Sequence, residues 1–422
     1  MNIPEIDLQR VVIIGGGFAG LNLAKKLNKN HYQVVLLDKN NYHTFQPLLY
    51  QVATSGLEPD SIAYPIRRTF KNAANFHFRV TEVYGINATE KTVNTSTGAL
   101  RYDYFVIATG AKTNFFGMDS LENNSISMKS LVESLDLRSK IIQNFEKALY
   151  TKNLKEQEAL MNFIIVGAGP TGVELAGALA ELKNHVLPKD YPDLDIRRMK
   201  IHLVEAAPRI LAPMSEVASK KAHEFLKKLG VHIWTNTLVT DYDGTLVTTN
   251  GKTDFYSETL IWAAGVKGNP VEGLSEENIT RGNRIEVNDF LEVAGKESVF
   301  AMGDVALVHS NDTPNGHAML GSVAMQQGIH LANNFNRLVL DKKRKPFVYN
   351  DKGTMATVGR NLAVVDLPKF KFQGFFAWFV WMFVHLMLLV GFRNKVIVFI
   401  NWAWSYIRFD KGTRLIVRPY KE

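Results

Sequence analysis

Two glycine clusters in this sequence have the residue types and the spacing needed to hold the phosphates of a nucleotide. The first, in VVIIGGGFAGLNLAKKL, places Gly15, Gly17 and Gly20 in G-x-G-x-x-G order between a β-branched run and a helical pattern. Glycines there permit a tight turn, the approach of a pyrophosphate to the backbone, and close packing of helix against strand. The phosphates then lie at a helix N-terminus, which carries about half a positive charge.

An acidic residue follows this first cluster at the end of the next strand-like run. Asp38 closes QVVLLD, at the distance expected for a carboxylate that binds a ribose hydroxyl. A glycine-rich turn and an unrelated surface acid would explain either feature alone. The order strand, glycines, helix, strand and acid favours a nucleotide site.

The second cluster repeats the arrangement in MNFIIVGAGPTGVELAGAL, with Gly167, Gly169 and Gly172. The following run, KIHLVEA, ends in Glu205, which lies further downstream than usual because HVLPKDYPDLDIRR intervenes. A carboxylate at that place binds the adenosine 2′-hydroxyl and repels a 2′-phosphate, so the sequence favours NADH over NADPH. Two such folds in one chain predict two dinucleotides, a flavin and a nicotinamide.

Three further strand-like runs end in small residues. FVIATGA (Phe105–Ala111) and TLIWAAGV (Thr259–Val266) are typical of strands that bring a glycine close to a ligand. VFAMGDVA places Asp304 just after a buried strand, where its carboxylate could accept a hydrogen bond from a flavin ribityl hydroxyl. Each run alone could be an ordinary strand end without a function. Together with the two glycine clusters, the three runs support the prediction of nucleotide sites.

Composition excludes several classes of chemistry. The chain has no cysteine, which excludes disulfides, cysteine-ligated metals and thiol catalysis. Its 422 residues predict two to three domains. The net charge of +8 is compatible with nucleic acid, an anionic membrane or an acidic cofactor. The histidines show no metal-ligand spacing, no nucleic-acid-binding motif is evident, and we expect no secretion signal.

In this order, the motifs resemble those of the two-dinucleotide-binding flavoproteins, which share GGGFAG, ATG, GAGPTGVE and the GD of FAMGD. Within that superfamily the chain is similar to the type II NADH dehydrogenases, which are single-subunit, non-pumping NADH:quinone oxidoreductases. The similarity rests on NNYHTFQPLLYQVATSG (Asn40–Gly56), TGVE, GSVAMQQG (Gly321–Gly328), GRNLAVVD and an apolar tail. Related disulfide reductases and sulfide:quinone reductases need thiolates, and this chain has none.

The resemblance implies FAD, NADH and a quinone (menaquinone or ubiquinone) as ligands. The FAD contacts that it implies are Gly15, Gly17, Phe18, Ala19, Gly20, Asp38, Lys39, Pro47 (near the isoalloxazine ring), Ala108, Thr109, Gly110, Asp304 and Gln326. The implied NADH contacts are Gly167, Gly169, Pro170, Thr171, Gly172, Glu205 and, near the nicotinamide, Ala264 and Gly265. The quinone candidates are Gln46, Ser322, Gln326, Gln327 and His385, with Ser322 standing where the family usually has glutamine.

Glu174 is the first candidate for a catalytic residue, and Gln326 is the second. Quinone reduction consumes two protons, so a titratable group near the flavin is useful. Glu174 lies two residues after Gly172, in the first turn of a helix directed at the cofactors. An exposed glutamate favoured by the helix dipole is the alternative. His43 is a weaker candidate, because a histidine beside an aromatic-rich loop is more often a packing residue than a proton donor.

The apolar tail is FFAWFVWMFVHLMLLVGF, Phe375–Phe392. It contains no Asp, Glu, Lys or Arg, and its one titratable side chain is His385. As a single helix it would be ~27 Å long, just short of the ~30 Å hydrocarbon core. A buried helix, a membrane span and an interfacial helix of a monotopic anchor are the three interpretations. Its spacing places Trp378, Trp381 and His385 on one face, suited to a headgroup-level entry for a quinone.

A second apolar segment, VIVFINWAWSYI (Val396–Ile407), is interrupted by polar residues, and this favours the interfacial interpretation. Near an anionic leaflet, each basic residue contributes ~1 kcal/mol to the free energy of membrane binding. Those that flank the two segments are Lys369, Lys371, Arg393, Lys395, Arg408, Lys411 and Arg414.

The predicted fold class is α/β, with two Rossmann-like dinucleotide-binding domains and a C-terminal membrane-anchoring helical module. The FAD domain is split over 1–114 and 286–336, the NADH domain covers 115–285, and the module covers 345–422. We expect peripheral, monotopic attachment to the cytoplasmic side of the inner membrane. The expected partners are the phospholipid surface and the quinone pool; a homodimer is a possible assembly, and neither nucleic acid nor metal is expected. A reductase of a ferredoxin or rubredoxin and a slow flavin redox sensor stay open as alternatives.

Overall fold

The structure is a computed structural model that describes residues 1–251, 253–280, 282–310, 313–408 and 412–420. These residues form two compact units. Unit 1 consists of 1–43, 64–112 and 266–351, and unit 2 consists of 44–63, 113–265 and the chain from 352 onward. The predicted domains differ from these units in three places: residues 44–63 lie in unit 2, residues 266–285 lie in unit 1, and most of the C-terminal module belongs to unit 2. The boundaries of the functional domains therefore stay a prediction.

Unit 1 is built on a five-stranded parallel sheet. Val11, for example, pairs with Val34 on one side and with Tyr104 on the other. The runs VVII and VVLL are uninterrupted by polar residues because the strands of a parallel sheet are covered on both faces. In spatial order the strands are Val299–Ala301, Tyr104–Ile107, Gln9–Ile14, Tyr32–Asp38 and Phe76–Val80.

Two helices of unit 1 pack against each other through a glycine. A Cβ on Gly328 would stand 2.3 Å from the carbonyl oxygen of Ala19, so only glycine permits this approach. The helices of this unit are Phe18–Lys26, Ile66–Thr69 and Gly321–Leu338, with 3-10 turns Glu276–Asn278 and Gly303–Val305. Its remaining strands are Val83–Asn87, Thr92–Thr95, Leu100–Arg101, Ile279–Thr280, Arg284–Val287 and Ala306–Val308. Short strands at the points where the chain passes between units are Tyr42–Thr44, Ala63–Pro65, Ala111–Thr113 and Val266–Gly268.

Unit 2 contains a second five-stranded parallel sheet of the same kind. Its strands in spatial order are Ile126–Ser127, Leu260–Trp262, Phe163–Val166, Ile201–Val204 and His232–Trp234. Three antiparallel strands, Val239–Tyr242, Leu246–Thr249 and Phe255–Tyr256, form a separate sheet. The helices are Leu49–Ala53, Pro59–Ile62, Asp119–Asn124, Leu131–Ala148, Leu154–Met161, Pro170–His185 (the Glu174 helix), Leu187–Asp190 and Glu216–Lys228, with 3-10 turns Gln46–Leu48 and Ile196–Arg198.

The C-terminal part of unit 2 contains the predicted helices, and it also contains strands that the sequence did not predict. It opens with an antiparallel sheet, named here the C-terminal sheet, of strands Thr354–Gly359, Leu362–Asp366 and Lys371–Gln373. A Cβ on Gly177 would stand 1.7 Å from the carbonyl oxygen of Val358, so the Glu174 helix lies directly on this sheet. The strands MATVG and LAVVD are rich in β-branched residues, which suits a pleated, half-buried surface.

The apolar tail is also not one helix. It forms a first apolar helix, Phe375–Leu388, and a second apolar helix, Phe392–Arg408. Gly391, with φ of 88°, lies in the break. Because that backbone conformation is strained for other residues, the chain turns there rather than continuing. Among the described residues, no helix is both long and apolar enough to cross a membrane.

Candidate active site

The first glycine cluster forms a cradle at the end of strand Gln9–Ile14. A Cβ on Gly15 (φ 99°) would stand 2.2 Å from the Ala108 carbonyl oxygen, and one on Gly20 would stand 1.9 Å from the Gly15 carbonyl oxygen. In contrast, nothing lies within 4 Å of where a Cβ on Gly17 would be. Two glycines are therefore required by the fold, and Gly17 leaves space over a helix N-terminus for a phosphate.

Asp38 lies beside this cradle. Its carboxylate accepts hydrogen bonds from the backbone N–H of Gly16 at 2.5 Å and of Asn40 at 2.7 Å. Burial raises the pKa of Asp38, while these two N–H donors oppose that effect. A carboxylate has about four acceptor positions, so it keeps capacity for a ribose hydroxyl. Phe18 packs the edge of its ring against His43, and Lys39 is exposed.

The other FAD candidates of unit 1 are tied into the same end of the sheet. The Thr109 hydroxyl donates to the Asn269 carbonyl at 2.5 Å, and the Asn269 N–H donates to the carbonyl of Gly110. The backbone N–H of Gly303, next to Asp304, donates to Gln327 Oε1 at 2.6 Å. These bonds order the turns that follow two neighbouring strands. Pro47 belongs to unit 2.

The second cluster reproduces the first in unit 2. A Cβ on Gly167 (φ 100°) would stand 2.5 Å from Ala264 Cα, one on Gly172 would stand 1.9 Å from the Gly167 carbonyl oxygen, and the space at Gly169 is open. Glu205 accepts from the backbone N–H of Ala168 at 2.6 Å, as Asp38 does from Gly16. The inserted residues before Glu205 therefore do not displace its carboxylate. This equivalence could not be read from spacing.

The remaining NADH candidates surround that cradle. Pro170 is the first residue of the Glu174 helix, where its missing N–H costs no hydrogen bond, and Thr171 is exposed. Gly265 accepts from the backbone N–H of Asn114 at 3.0 Å, and a Cβ there would stand 2.7 Å from the ring of Phe116. Ala264 is exposed beside it, so this edge is open to a ligand.

Glu174 is buried rather than displayed on the helix surface. Only 8% of it is exposed, and its Oε1 accepts from the Thr357 N–H of the C-terminal sheet at 3.3 Å. Burial raises the pKa of Glu174 to about 8, although the Thr357 N–H and the nearby Trp381 indole partly favour the ionised form. The Thr357 N–H has the larger effect, because the Trp381 N–H does not reach full hydrogen-bond geometry. Near neutral pH this carboxyl holds its proton.

Glu174 opens onto a partly open aromatic pocket of unit 2. Arg360 closes one side: its guanidinium donates to the Ser405 and Tyr406 carbonyls, and its backbone N–H donates to Glu181. The pocket is lined by Tyr50, Gln51, Thr54, Gly56, Glu174, Ala178, Glu181, Thr357, Gly359, Arg360, Trp378, Trp381, Met382, Trp402, Ser405 and Tyr406. Of these, sequence reasoning gave a possible site role only to Glu174, Trp378 and Trp381; most of the others lie in stretches that it quoted for the family resemblance or the apolar tail.

The glutamines of the helix Gly321–Leu338 have partners within unit 1. Gln326 donates to the Asn350 carbonyl at 2.9 Å and accepts from the Asn350 N–H at 3.0 Å. The Ser322 hydroxyl lies 2.9 Å from the Tyr349 hydroxyl. Gln327 is buried and accepts a hydrogen bond from the Gly303 N–H, so it stabilises the turn that carries Asp304. Gln46 is exposed in unit 2.

Both candidate histidines are packed. His385 Nδ1 lies 2.8 Å from the Trp381 carbonyl oxygen, and its ring stacks on Trp381 at 4.1 Å between centroids. Burial lowers the pKa of His385 to about 4, so it is neutral at physiological pH. His43 Nδ1 lies 2.9 Å from the Gly16 carbonyl oxygen, and burial lowers its pKa to about 4 as well. Neither is suited to carry a proton at neutral pH.

The two apolar helices expose large apolar side chains, ten of which are named here the apolar face. The expectation that Trp378, Trp381 and His385 face the headgroups is wrong, because Trp381 is 1% exposed and Trp378 packs on the C-terminal sheet. The His385 ring finds a hydrogen-bond partner inside the protein, whereas phenylalanine needs none. The apolar face consists of Phe375, Phe376, Phe379, Phe383, Met387, Phe392, Phe399, Ile400, Trp404 and Ile407.

Several of the basic residues near this face are engaged in the protein. Arg414 forms an ion pair with Asp190 at 2.5 Å, and Lys395 donates to the Met387 carbonyl at the end of the first apolar helix. Lys369, Lys371 and Arg408 are exposed. Lys411 lies outside the described residues.

Comparison with known proteins identifies relatives along nearly the whole chain. Residues 9–328 match the pyridine nucleotide-disulphide oxidoreductase family, and residues 352–408 match the NDH2 C-terminal domain. The type II NADH:quinone oxidoreductase Ndh of Mycobacterium tuberculosis is 34% identical over 418 residues, which are 96% of this chain and 89% of the relative. The type II NADH:quinone oxidoreductase of Haemophilus influenzae is 31% identical, with 90% and 93% covered.

Solved structures show the same fold at lower sequence identity. NDH2 from Plasmodium falciparum in complex with NADH superimposes with a TM-score of 0.89 at 22% identity, covering 97% of this chain and all of that one. The sulfide:quinone oxidoreductase of Aquifex aeolicus gives a TM-score of 0.71 at 18% identity, covering 94% of this chain and 95% of that one. At these identities the likeness concerns the fold alone.

Proposed function

This chain belongs to the type II NADH:quinone oxidoreductases, and we propose how its residues carry out that activity. It is an FAD-dependent enzyme that oxidises NADH and reduces a membrane quinone without pumping protons. Bound to this chain, FAD would supply the two-electron chemistry that links NADH to the quinone. The relatives favour a quinone over the protein acceptor and the redox sensor that the sequence left open.

FAD is assigned to the cradle of unit 1. The open space at Gly17 and the helix N-terminus behind it suit the pyrophosphate, and the Asp38 carboxylate suits a ribose hydroxyl. Asp304, on the turn held by Gln327, would accept from a ribityl hydroxyl. We assign to the same site Phe18, Ala19, Lys39, Ala108, Thr109 and Gly110, whereas the contact of Pro47, a residue of unit 2, stays a prediction of the family resemblance.

NADH is assigned to the cradle of unit 2, because its geometry repeats that of the first. Gly169 leaves room for the pyrophosphate, and Glu205 is held where it would bind the adenosine 2′-hydroxyl. A 2′-phosphate at this point would meet a carboxylate, so NADPH should be disfavoured. The exposed edge at Ala264 and Gly265 would receive the nicotinamide end.

The observation that carries the proposal is the buried Glu174 carboxyl at the wall of the aromatic pocket. A carboxyl that is protonated near neutral pH can donate a proton to a quinone oxygen as the two electrons arrive. We therefore propose that the aromatic pocket admits the quinone head group and that Glu174 is its proton donor. Gln326 is bonded through its side-chain amide to Asn350, and it keeps one further N–H donor and one acceptor position for a quinone.

The apolar face is proposed to lie in the membrane interface. Ten large apolar side chains on two adjacent helices exceed what an isolated soluble protein normally displays in one patch. Burying one phenylalanine side chain contributes ~2 kcal/mol. We propose a monotopic attachment to the cytoplasmic side of the inner membrane, where NADH is available, with lipid and the quinone pool as partners and a homodimer as the assembly.

Stopped-flow absorbance on the full-length protein in detergent tests the proposal. NADH should bleach the flavin rapidly, and a menaquinone or ubiquinone analogue should reoxidise it rapidly. Glu174→Gln should leave bleaching within about two-fold and slow reoxidation about a hundred-fold. Glu216→Gln, which changes an exposed glutamate of unit 2, is the matched control. A wild-type flavin that stays reduced with quinone would contradict the proposal.

A further inference from the structure

A chain of hydrogen bonds runs from the second apolar helix to the aromatic pocket. The indole N–H of Trp402 donates to Gln51 Oε1 at 2.7 Å, and Gln51 Nε2 donates to the Tyr50 hydroxyl oxygen at 2.8 Å. All three residues line the pocket that also contains Glu174. This chain has no part in the proton transfer assigned above to Glu174.

The direction of this chain is fixed by its outer end. An indole nitrogen can only donate, so the Gln51 atom that faces Trp402 has to be the carbonyl oxygen. The amide nitrogen of Gln51 is then turned towards Tyr50, whose hydroxyl oxygen has to accept. The proton of the Tyr50 hydroxyl therefore points away from Gln51. Without Trp402, the Gln51 amide could rotate by half a turn and accept from Tyr50 instead.

The Tyr50 hydroxyl has room for one more partner. Tyr50 is 5% exposed, and among the described residues no hydrogen bond joins its hydroxyl to the Glu174 carboxyl on the same pocket wall. Burial raises the pKa of Tyr50 well above its ordinary value, and the Glu174 carboxylate, which is ionised at the high pH where a tyrosine titrates, adds to this effect. Tyr50 is thus a hydrogen-bond donor that does not give up its proton.

We propose that the Tyr50 hydroxyl donates a hydrogen bond to a carbonyl oxygen of the quinone, and that Gln51 and Trp402 are positioning residues that orient it. A quinone ring offers carbonyl acceptors and no donor, so it requires donors from the protein. Tyr50 binds and orients the ring, while Glu174 delivers the proton. The inference rests on the proposed function, because it needs the aromatic pocket to be the quinone site.

Tyr50→Phe removes the hydroxyl and keeps the ring. We expect the second-order rate of flavin reoxidation by a ubiquinone analogue to fall about five- to ten-fold, mainly through a higher KM for quinone. Flavin bleaching by NADH and turnover with ferricyanide, which has no carbonyl acceptor, should change by less than about two-fold. Tyr191→Phe, which removes a half-buried tyrosine hydroxyl that donates to Glu146, is the matched control and should leave the quinone KM unchanged.

The role of Gln51 is tested by a double-mutant cycle. In Gln51→Glu both oxygens accept, so the Tyr50 proton turns away from the pocket and the quinone KM rises about as much as in Tyr50→Phe. In the Tyr50→Phe background the same change should add less than about two-fold, because there is no hydroxyl left to orient. Trp402→Phe should raise the quinone KM about two- to three-fold, and Trp234→Phe should not.

The outcomes separate this inference from the function beneath it. If wild type shows no quinone turnover, the proposed function itself fails. If wild type turns over quinone but Tyr50→Phe keeps its KM, the Tyr50 contact is overturned and the function stands. If the effects of Gln51→Glu and Tyr50→Phe multiply, Gln51 acts independently of the hydroxyl and the positioning role is overturned.

Discussion

Replacing Glu174 by glutamine should make the protein more stable, by an amount that grows with pH. Burial raises the pKa of this carboxyl to about 8, from an ordinary value of 4.5. Between these values the folded state holds a proton that the unfolded state has released. The folded state thus binds more protons, and wild-type stability falls as pH rises through this window.

The size of the effect follows from the pKa difference. Each pKa unit corresponds to about 1.4 kcal/mol, so the free energy of unfolding should lose about 1.4 kcal/mol per pH unit and about 5 kcal/mol in total by pH 8. A glutamine keeps a carbonyl oxygen for the Thr357 N–H and has no proton to release. The Glu174→Gln variant should therefore match wild type near pH 4.5 and exceed it increasingly up to pH 8.

Urea unfolding of the FAD-bound protein in detergent, followed by tryptophan fluorescence at several pH values from 5 to 8.5, measures this difference. All other titrating groups are common to both proteins, so their contributions cancel. The exposed Glu216→Gln control should show no pH-dependent difference. A Glu174→Gln difference that is flat with pH, or that favours wild type at pH 8, would refute the assignment of a buried, protonated carboxyl. Kinetically, wild-type reoxidation by quinone should slow above about pH 8, as the donor ionises, whereas the variant should show no such step.

Three further predictions concern the cradles and the apolar face. Gly172→Ala should lower the free energy of unfolding by about 1–3 kcal/mol or more, because its Cβ would stand 1.9 Å from a backbone oxygen. Gly169→Ala has space for its Cβ, so it should fold normally and raise the KM for NADH. Unfolding curves and steady-state kinetics distinguish the two variants. Glu205→Gln should reduce the preference for NADH over NADPH about ten-fold, measured as the ratio of kcat/KM values, and an unchanged ratio would contradict the 2′-hydroxyl contact. Phe379→Glu and Phe383→Glu should each weaken binding to phospholipid vesicles more than ten-fold, while turnover with ferricyanide in solution persists. Sedimentation with vesicles measures the binding. Undiminished binding would exclude the apolar face as the membrane contact.

The sequence by itself determined the α/β class, the two dinucleotide folds and the enzyme family, and these predictions are confirmed. The physical reason is that each depends on local pattern. Uninterrupted apolar strands, glycines at a strand-to-helix turn and an acid after the next strand are imposed by backbone geometry within a few dozen residues. The absence of cysteine likewise excluded thiol chemistry without any coordinates.

The tertiary structure decided which side chains meet. Spacing left Glu205 uncertain, but the fold returns its carboxylate to the place that Asp38 occupies in the first cradle. Glu174 could have been a surface residue; it is buried because Gly177 lets its helix lie on a sheet that begins almost two hundred residues later.

The same holds for the tail and the pocket. Gly391 breaks what looked like one helix, and packing turns the tryptophan- and histidine-bearing face inward, leaving phenylalanines outside. Tyr50 and Trp402 are more than three hundred residues apart, and their link through Gln51 exists only after folding. Local pattern carries no information about such contacts, because they depend on how distant elements pack.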